Sequence, residues 1–269
     1  MAAELVHLDT VGDVATLTLD APGHRNSLSR QLLEELAAQL QRAVAEPRAR
    51  VLVLTHTGPV FCAGADLDEQ LEPPGAGTSP GVGGLVPVLQ ALWACPKPTL
   101  ARVAGPARGG GLGLIGACDL AVAAQTATFA FSEVRLGVAP AVVSVVTLPK
   151  LGPAAAAELY LTATPISADR AAALGLITRS VPAADLDRTV REYLDALQAA
   201  APGALAATKQ ILRTVPTLPV LEALTAMAAL SADLFQGAEA REGMAAFRER
   251  RPPAWVPPPP LPTTEELPP

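Results

Sequence analysis

The chain has 269 residues, half of them hydrophobic and 17% charged, with a formal net charge of −6. That length can bury a substantial core, as one large domain or one domain with an appendage, and the composition is that of a packed soluble globule and not of a disordered chain. The negative balance argues against a nucleic-acid surface, which needs clustered Lys and Arg to neutralise phosphates.

Cys62, Cys95 and Cys118 are odd in number, far apart and without a C-x-x-C or a Cys/His cluster. This excludes a disulfide framework or zinc site as the expectation and favours reduced thiols in a cytoplasmic protein. His7, His24 and His56 share no metal-binding spacing, and no metal is expected. The start, "MAAELVHLDTVGDVATL", lacks the basic and apolar regions of a secretory signal. The longest uncharged stretch, Pro73 to Pro96, is interrupted by Pro and Gly throughout, so no membrane span is expected.

In chain order, "ELVHLDTVGDVATLTLD" alternates around Gly12-Asp13 and predicts a β-hairpin. Leu32, Leu36, Leu40 and Val44 follow a Ser29 cap at i, i+4 spacing and predict an amphipathic helix. "VLVLTHTG" from Val51 reads as a short buried strand, and "PVFCAGADLDEQ" as a loop opening a helix at Asp66. Pro73 to Gly84 is too rich in Pro and Gly for regular structure and is expected to be a mobile surface loop beside a cavity. A helix over roughly Leu85 to Ala94 and the strand "TLARVAG" follow. "LAVAAQTATFAF" predicts two short strands, and "SEVRLGVAP" a strand end and turn.

From Ala154 onward the pattern is helical almost throughout, with Leu186, Val190, Leu194 and Leu197 marking one apolar stripe. These late helices carry more Leu and Ala than a lone surface layer needs, which predicts subunit contacts. The tail from Pro252 has nine prolines in eighteen residues and is expected to be disordered or polyproline-like beyond Trp255.

The stretch "GPARGGGLGLIGACD", Gly105 to Asp119, holds six glycines in fifteen residues, including a G-x-G-x-x-G at Gly111, Gly113 and Gly116. A dinucleotide fingerprint is one reading, with Glu133 as the ribose-binding acid and a dinucleotide-dependent oxidoreductase as the function. Against it, the glycine motif begins late, inside the presumed helix, and no repeated βαβ pattern opens the chain. The other reading makes Gly109-Gly110-Gly111 a helix N-terminus whose unpaired amides face an anionic oxygen. "FCAGADL", Phe61 to Leu67, offers a second amide, at Ala63, ahead of another helix start. Two such amides converging on one point would form an oxyanion hole.

"RNSLS", "FCAGADL", "KPTLARVAGPARGGGLGLIGACDLAVAA", "FSEVRLGVAP" and "AREGMAAFRERRPPAW", in that order, resemble the enoyl-CoA hydratase/isomerase (crotonase) superfamily across roughly residues 5 to 255. The resemblance implies an α/β fold, a crotonase-like spiral of stacked ββα units over residues 1–200. It also implies a C-terminal helical region, 201–255, that mediates a homotrimer or dimer of trimers, ahead of the Pro-rich tail at 256–269. It implies an acyl-CoA ligand and no cofactor beyond the coenzyme A of the substrate. By position, the Ala63 and Gly110 amides would hold the thioester oxygen, and Glu133 would be the catalytic carboxylate. Arg25, Ser27, Asp66, Leu67, Phe247 and Arg250 fall at or beside the family's CoA-binding positions. As ordinary structure, Asp66 would cap a helix, and Arg25 and Arg250 would be solvated surface cations.

Family hydratases place two glutamates around the water that adds across the double bond, and here the first of them corresponds to Gly113. Three activities stay open on this reading: hydration across the 2,3 double bond, possible on a branched or glutaconyl-type ester; isomerisation by the single glutamate; and acyl-CoA binding without turnover.

Overall fold

A computed structural model describes residues 3–71 and 82–256. The chain divides into two compact units, Met1–Tyr193 and Leu194–Pro269. In the first, strands β1 (Val6–Val11) and β2 (Val14–Leu19) form the expected hairpin, with Val11 opposite Val14. Gly12 turns it at φ +61°, the sign that a two-residue hairpin loop requires and glycine supplies without steric cost. Helix α1 (Arg30–Ala45) is capped by Ser29, whose hydroxyl accepts from the Leu32 amide at 3.2 Å. Its buried Leu32, Leu36 and Leu40 lie on one face.

Strand β3 (Val51–His56), helices α2 (Leu67–Leu71) and α3 (Val82–Ala94), and strands β4 (Thr99–Val103) and β5 (Ala107–Arg108) follow. Next come α4 (Gly110–Ala117), β6 (Leu120–Ala124), β7 (Thr128–Ala130), α5 (Ala141–Thr147) and α6 (Pro153–Thr162). The unit is completed by β8 (Ile166–Ser167), α7 (Ala168–Ala173), β9 (Arg179–Val181) and α8 (Leu186–Gln198), the last of which runs into the second unit. A six-stranded sheet has the order β1-β2-β3-β4-β6-β9 and is parallel from β2 onward; β5-β7-β8 form a second, three-stranded sheet. Parallel neighbours need crossover connections, and those leaving β3 and β4 carry the loops that matter below.

Two local expectations are corrected. Helix α3 begins at Val82, inside the stretch read as irregular; residues 73–81 of that predicted mobile loop lie outside the described residues. The "SEVRLGVAP" segment is a 3₁₀ turn over Glu133–Leu136, closed by Gly137 at φ +78°. Helix α5, with the sequence AVVSVVT, forms although four Val and a Thr in seven residues disfavour a helix. Tertiary packing overrides that preference: Val143, Val146 and Thr147 are buried and α5 lies against α4.

The second unit contains α9 (Pro202–Thr214), α10 (Val220–Gln236) and α11 (Ala238–Glu249). The Glu239 carboxylate accepts from the Gly203 and Ala204 amides at 2.9 and 3.1 Å, tying α11 to the open N-terminus of α9. Val220, Leu221, Leu224 and Phe235 on α10, with Met244 and Phe247 on α11, are exposed. The Pro-rich tail from residue 257 lies outside the described residues. Among the described residues no helix is long and apolar enough to cross a membrane.

Candidate active site

The site forms where the chain leaves the carboxyl ends of β3 and β4, adjacent parallel strands; this is where parallel sheets open crevices for ligands. The loop after β3 is anchored by Asn26, which is fully buried. Asn26 donates to the Thr57 and Val60 carbonyls at 3.1 and 2.8 Å and accepts from the Ala21 amide at 2.8 Å. Nothing in the sequence singles out this residue beyond its place in "RNSLS".

Strand β5 is the spine of the site. On one side the Arg108 amide donates to the Cys62 carbonyl at 2.9 Å, and a Cβ added to Gly64 would stand 3.2 Å from the Arg108 carbonyl oxygen. On the other side β5 pairs with β7, and the Gly109 amide donates to the Ala130 carbonyl at 3.1 Å. Three residues past Ala130, Glu133 turns back: a Cβ on Gly109 would lie 3.1 Å from Glu133 Oε1 and 3.8 Å from Oε2. The "FCAGADL" loop, the glycine turn and the Glu133 carboxyl group therefore meet at Gly109 and Gly110.

Gly109 is the N-cap of α4, at φ +47°. Gly110 is the first residue of the helix, so its amide has no acceptor within it, and among the described residues it donates to no backbone carbonyl elsewhere. The flanking wall is apolar: a Cβ on Gly110 would stand 2.5 Å from Leu28 Cδ1 and 3.3 Å from Leu85 Cδ2. Burial raises the Glu133 pKa, offset in part by its own amide. Glu133 Oε2 is buried and has no hydrogen-bond partner among the described residues. A buried carboxyl oxygen left unpaired is costly, and costs of this kind collect at functional sites.

The Ala63 amide is not free as expected. It donates to the Arg25 carbonyl at 3.0 Å, with Arg25 and Asn26 both in the left-handed region at φ 53° and 52°. The Arg25 side chain is exposed. Ser27 donates to Asp66 Oδ2 at 2.8 Å, while Asp66 Oδ1 accepts from the Asp68 and Glu69 amides at 3.2 Å, capping α2. The Ser27 hydroxyl, then those amides, hold the Asp66 carboxyl below its ordinary value. Leu67 opens α2 and is half exposed. Phe247 is exposed on α11 and Arg250 ends that helix at φ 55°, both in the second unit. Cys62 sits within the loop, but burial pushes its thiol up to about 12, so it stays a protonated filler.

Gly113 has no room for the missing carboxylate. A Cβ there would stand 2.9 Å from Val143 Cγ1 and 3.5 Å from Leu89 Cδ1. Hydrocarbon from α5 and α3 fills the volume a first glutamate would use.

Comparison with known proteins shows the family. Residues 9–257 match the family model described as enoyl-CoA hydratase/isomerase. An enoyl-CoA isomerase/hydratase from Mycosarcoma maydis is 36% identical over 250 residues, spanning 89% of this chain and 91% of the relative. A carnitinyl-CoA dehydratase from Proteus mirabilis is 32% identical over 259 residues, spanning 94% and 98%. The crystal structure of an enoyl-CoA hydratase from Mycobacterium smegmatis superposes with a TM-score of 0.87 at 31% identity, covering 93% of this chain and 98% of that one. By sequence over nearly its whole length and by fold, the chain belongs to the enoyl-CoA hydratase/isomerase family.

Proposed function

We propose that this protein adds water across the 2,3 double bond of an enoyl-CoA thioester. The observation that carries the reading is half-buried Glu133, whose Oε2 is buried and has no partner among the described residues, beside the open amide at the start of α4. The Gly110 N–H receives the thioester oxygen, and a donor of that kind is worth about 3 kcal/mol of barrier when charge develops on the oxygen. The Ala63 N–H joins it by sharing its proton with, or releasing, the Arg25 carbonyl. Glu133 takes a proton from water as the water oxygen bonds to C3. The electron pair of the double bond moves to C2 and the thioester oxygen, and protonated Glu133 returns the proton to C2. A raised pKa suits a group that must first accept and then donate.

Coenzyme A, part of the substrate, is the only cofactor in this scheme, with Arg25 as a cation for its phosphates and Ser27, Asp66 and Leu67 shaping the loop, while Arg250, with Phe247 near it, reaches the nucleotide from a neighbouring copy of the chain. The exposed apolar side chains of α10 and α11 support assembly as a trimer or dimer of trimers. Three buried cysteines, none of them in a disulfide among the described residues, suit a reducing cytoplasm.

Isomerisation is the second reading, and the packed Gly113 position favours it: one carboxylate can carry a proton between C2 and C4 without a water. A panel of saturated, 2-enoyl, 3-enoyl and glutaconyl-type CoA esters, followed by mass spectrometry and product analysis, separates the two. Gain of water supports hydration, migration of the double bond supports isomerisation, and binding without either leaves an acyl-CoA binder. Turnover that survives intact in Glu133→Gln removes Glu133 from the mechanism.

A further inference from the structure

A water that adds to a double bond has two hydrogens, and both need acceptors while the oxygen attacks. Glu133 can take one. Gly113 offers nothing for the other, and the residue packed over it, Val143, is hydrocarbon. The backbone of Val143 nevertheless begins a directed polar chain. Thr147, fully buried on α5, donates its hydroxyl proton to the Val143 carbonyl at 2.7 Å. Its oxygen lies 2.5 Å from the Tyr160 hydroxyl on α6. A carbonyl can only accept, and a threonine has one proton. Tyr160 must therefore be the donor to Thr147, which leaves the lone pairs of the phenol oxygen as acceptors.

Tyr160 also faces the Glu133 segment. Phe131, two residues before Glu133, stacks on the Tyr160 ring with centroids 4.2 Å apart and planes at 32°. Resting on the hydration reading above, we propose that the Tyr160 hydroxyl, oriented by Thr147, is the second acceptor for the water that Glu133 activates. Tyr160 exchanges no proton in this role; it accepts a hydrogen bond while the water's other proton passes to Glu133. Burial raises the Tyr160 pKa, the Thr147 hydrogen bond opposing it and the negative charge of Glu133 adding to it, so the phenol stays protonated.

The test compares hydration with a reaction that needs no water. Tyr160→Phe keeps the ring stack and removes only the oxygen. Hydration kcat should fall about tenfold, the loss of one hydrogen bond to the reacting water, with KM unchanged. Solvent-deuterium exchange or double-bond migration in the same variant should persist. Thr147→Val frees the phenol proton and should reproduce the selective loss, whereas Thr147→Ser should restore hydration. A ratio of hydration to isomerisation in Tyr160→Phe equal to that of the parent protein overturns the role, as does equal loss of both in a folded variant. A parent protein that migrates double bonds but never adds water also overturns it while leaving Glu133 in place, and a parent protein inert toward every ester removes the hydration reading itself.

Discussion

The glycines of the α4 region divide into two groups that share a residue type and differ in the reason for it. Gly109 and Gly110, at the mouth of the helix, lack side chains so that a carboxyl group and an open amide can meet there: a Cβ on Gly109 would stand 3.1 Å from Glu133 Oε1. Gly113 and Gly116, a turn further in, lack them so that another helix can approach. A Cβ on Gly116 would stand 2.6 Å from Thr147 Cγ2 and 3.1 Å from the Val146 carbonyl oxygen, and one on Gly113 stands 2.9 Å from Val143. The first pair serves a ligand and the second serves packing, so substitutions should separate activity from stability along a single helix.

The largest effect belongs to the mouth. Glu133→Gln should lower kcat by about 10²- to 10⁴-fold, the usual yield of a positioned acid/base, with acyl-CoA binding intact by calorimetry. Its stability should move the other way. Burial raises the folded pKa of Glu133, so the folded state is favoured below the unfolded carboxyl value and loses that advantage as pH rises through the folded one. A neutral Gln escapes the loss, and its urea midpoint at pH 7.5 should exceed that of the parent protein. A variant both inactive and less stable would blur the division between the two glycine groups.

Gly113→Ala tests the packing side. Overpacking at a contact of this kind costs roughly 1–3 kcal/mol, and adding Val143→Ala should recover much of it because the two sites touch. Specific activity per folded molecule should change little. Gly109→Ala should sharpen the contrast: it puts a Cβ on a backbone at φ +47° and ψ −117°, a region that glycine alone adopts readily, at a stability cost of about 1–3 kcal/mol. Its contact with Glu133 should show in kcat and not in KM. If Gly113→Ala proved the more damaging to kcat at equal folding, the two groups would have to be exchanged.

The legible parts of the molecule were those whose cause is local. The Gly12 turn, the Ser29 cap and the Leu32-Leu36-Leu40 stripe each fix an element within a few residues, and the structure has all three. Glycine at 109 to 111 announced a helix N-terminus for the same reason. What was hidden depends on partners far away in sequence. Helix α5 has a β-branched run that forms a helix only because Gly113 and Gly116 admit it. The Ala63–Arg25 bond depends on two left-handed residues, neither of them glycine, that no pattern signals. Gly113 was visible as a departure, but not that Val143 and Leu89 fill its space.

The smallest effect concerns His56, which ends β3 and supports the mouth from behind, its ring edge-on to Phe61 at 5.3 Å. The Ala104 amide donates to His56 Nε2 at 3.1 Å, so that nitrogen must be the acceptor, and Nδ1 carries the proton toward the Thr57 carbonyl at 3.2 Å. A second proton would sit on Nε2 and break the bond to Ala104. Burial first, and the Arg102 charge with it, depress the folded pKa despite the carbonyl bonds that favour the cation. A depressed value means the contribution is fully present above about 6.5, the unfolded value, and is lost as pH falls through the folded one. Urea midpoints should therefore drop between pH 7.5 and pH 5.5, and the drop should shrink in His56→Gln, whose amide can hold both bonds without titrating. An equal drop in that variant would assign the acid sensitivity to other groups and leave His56 as packing alone, a support for the mouth that does not depend on its charge.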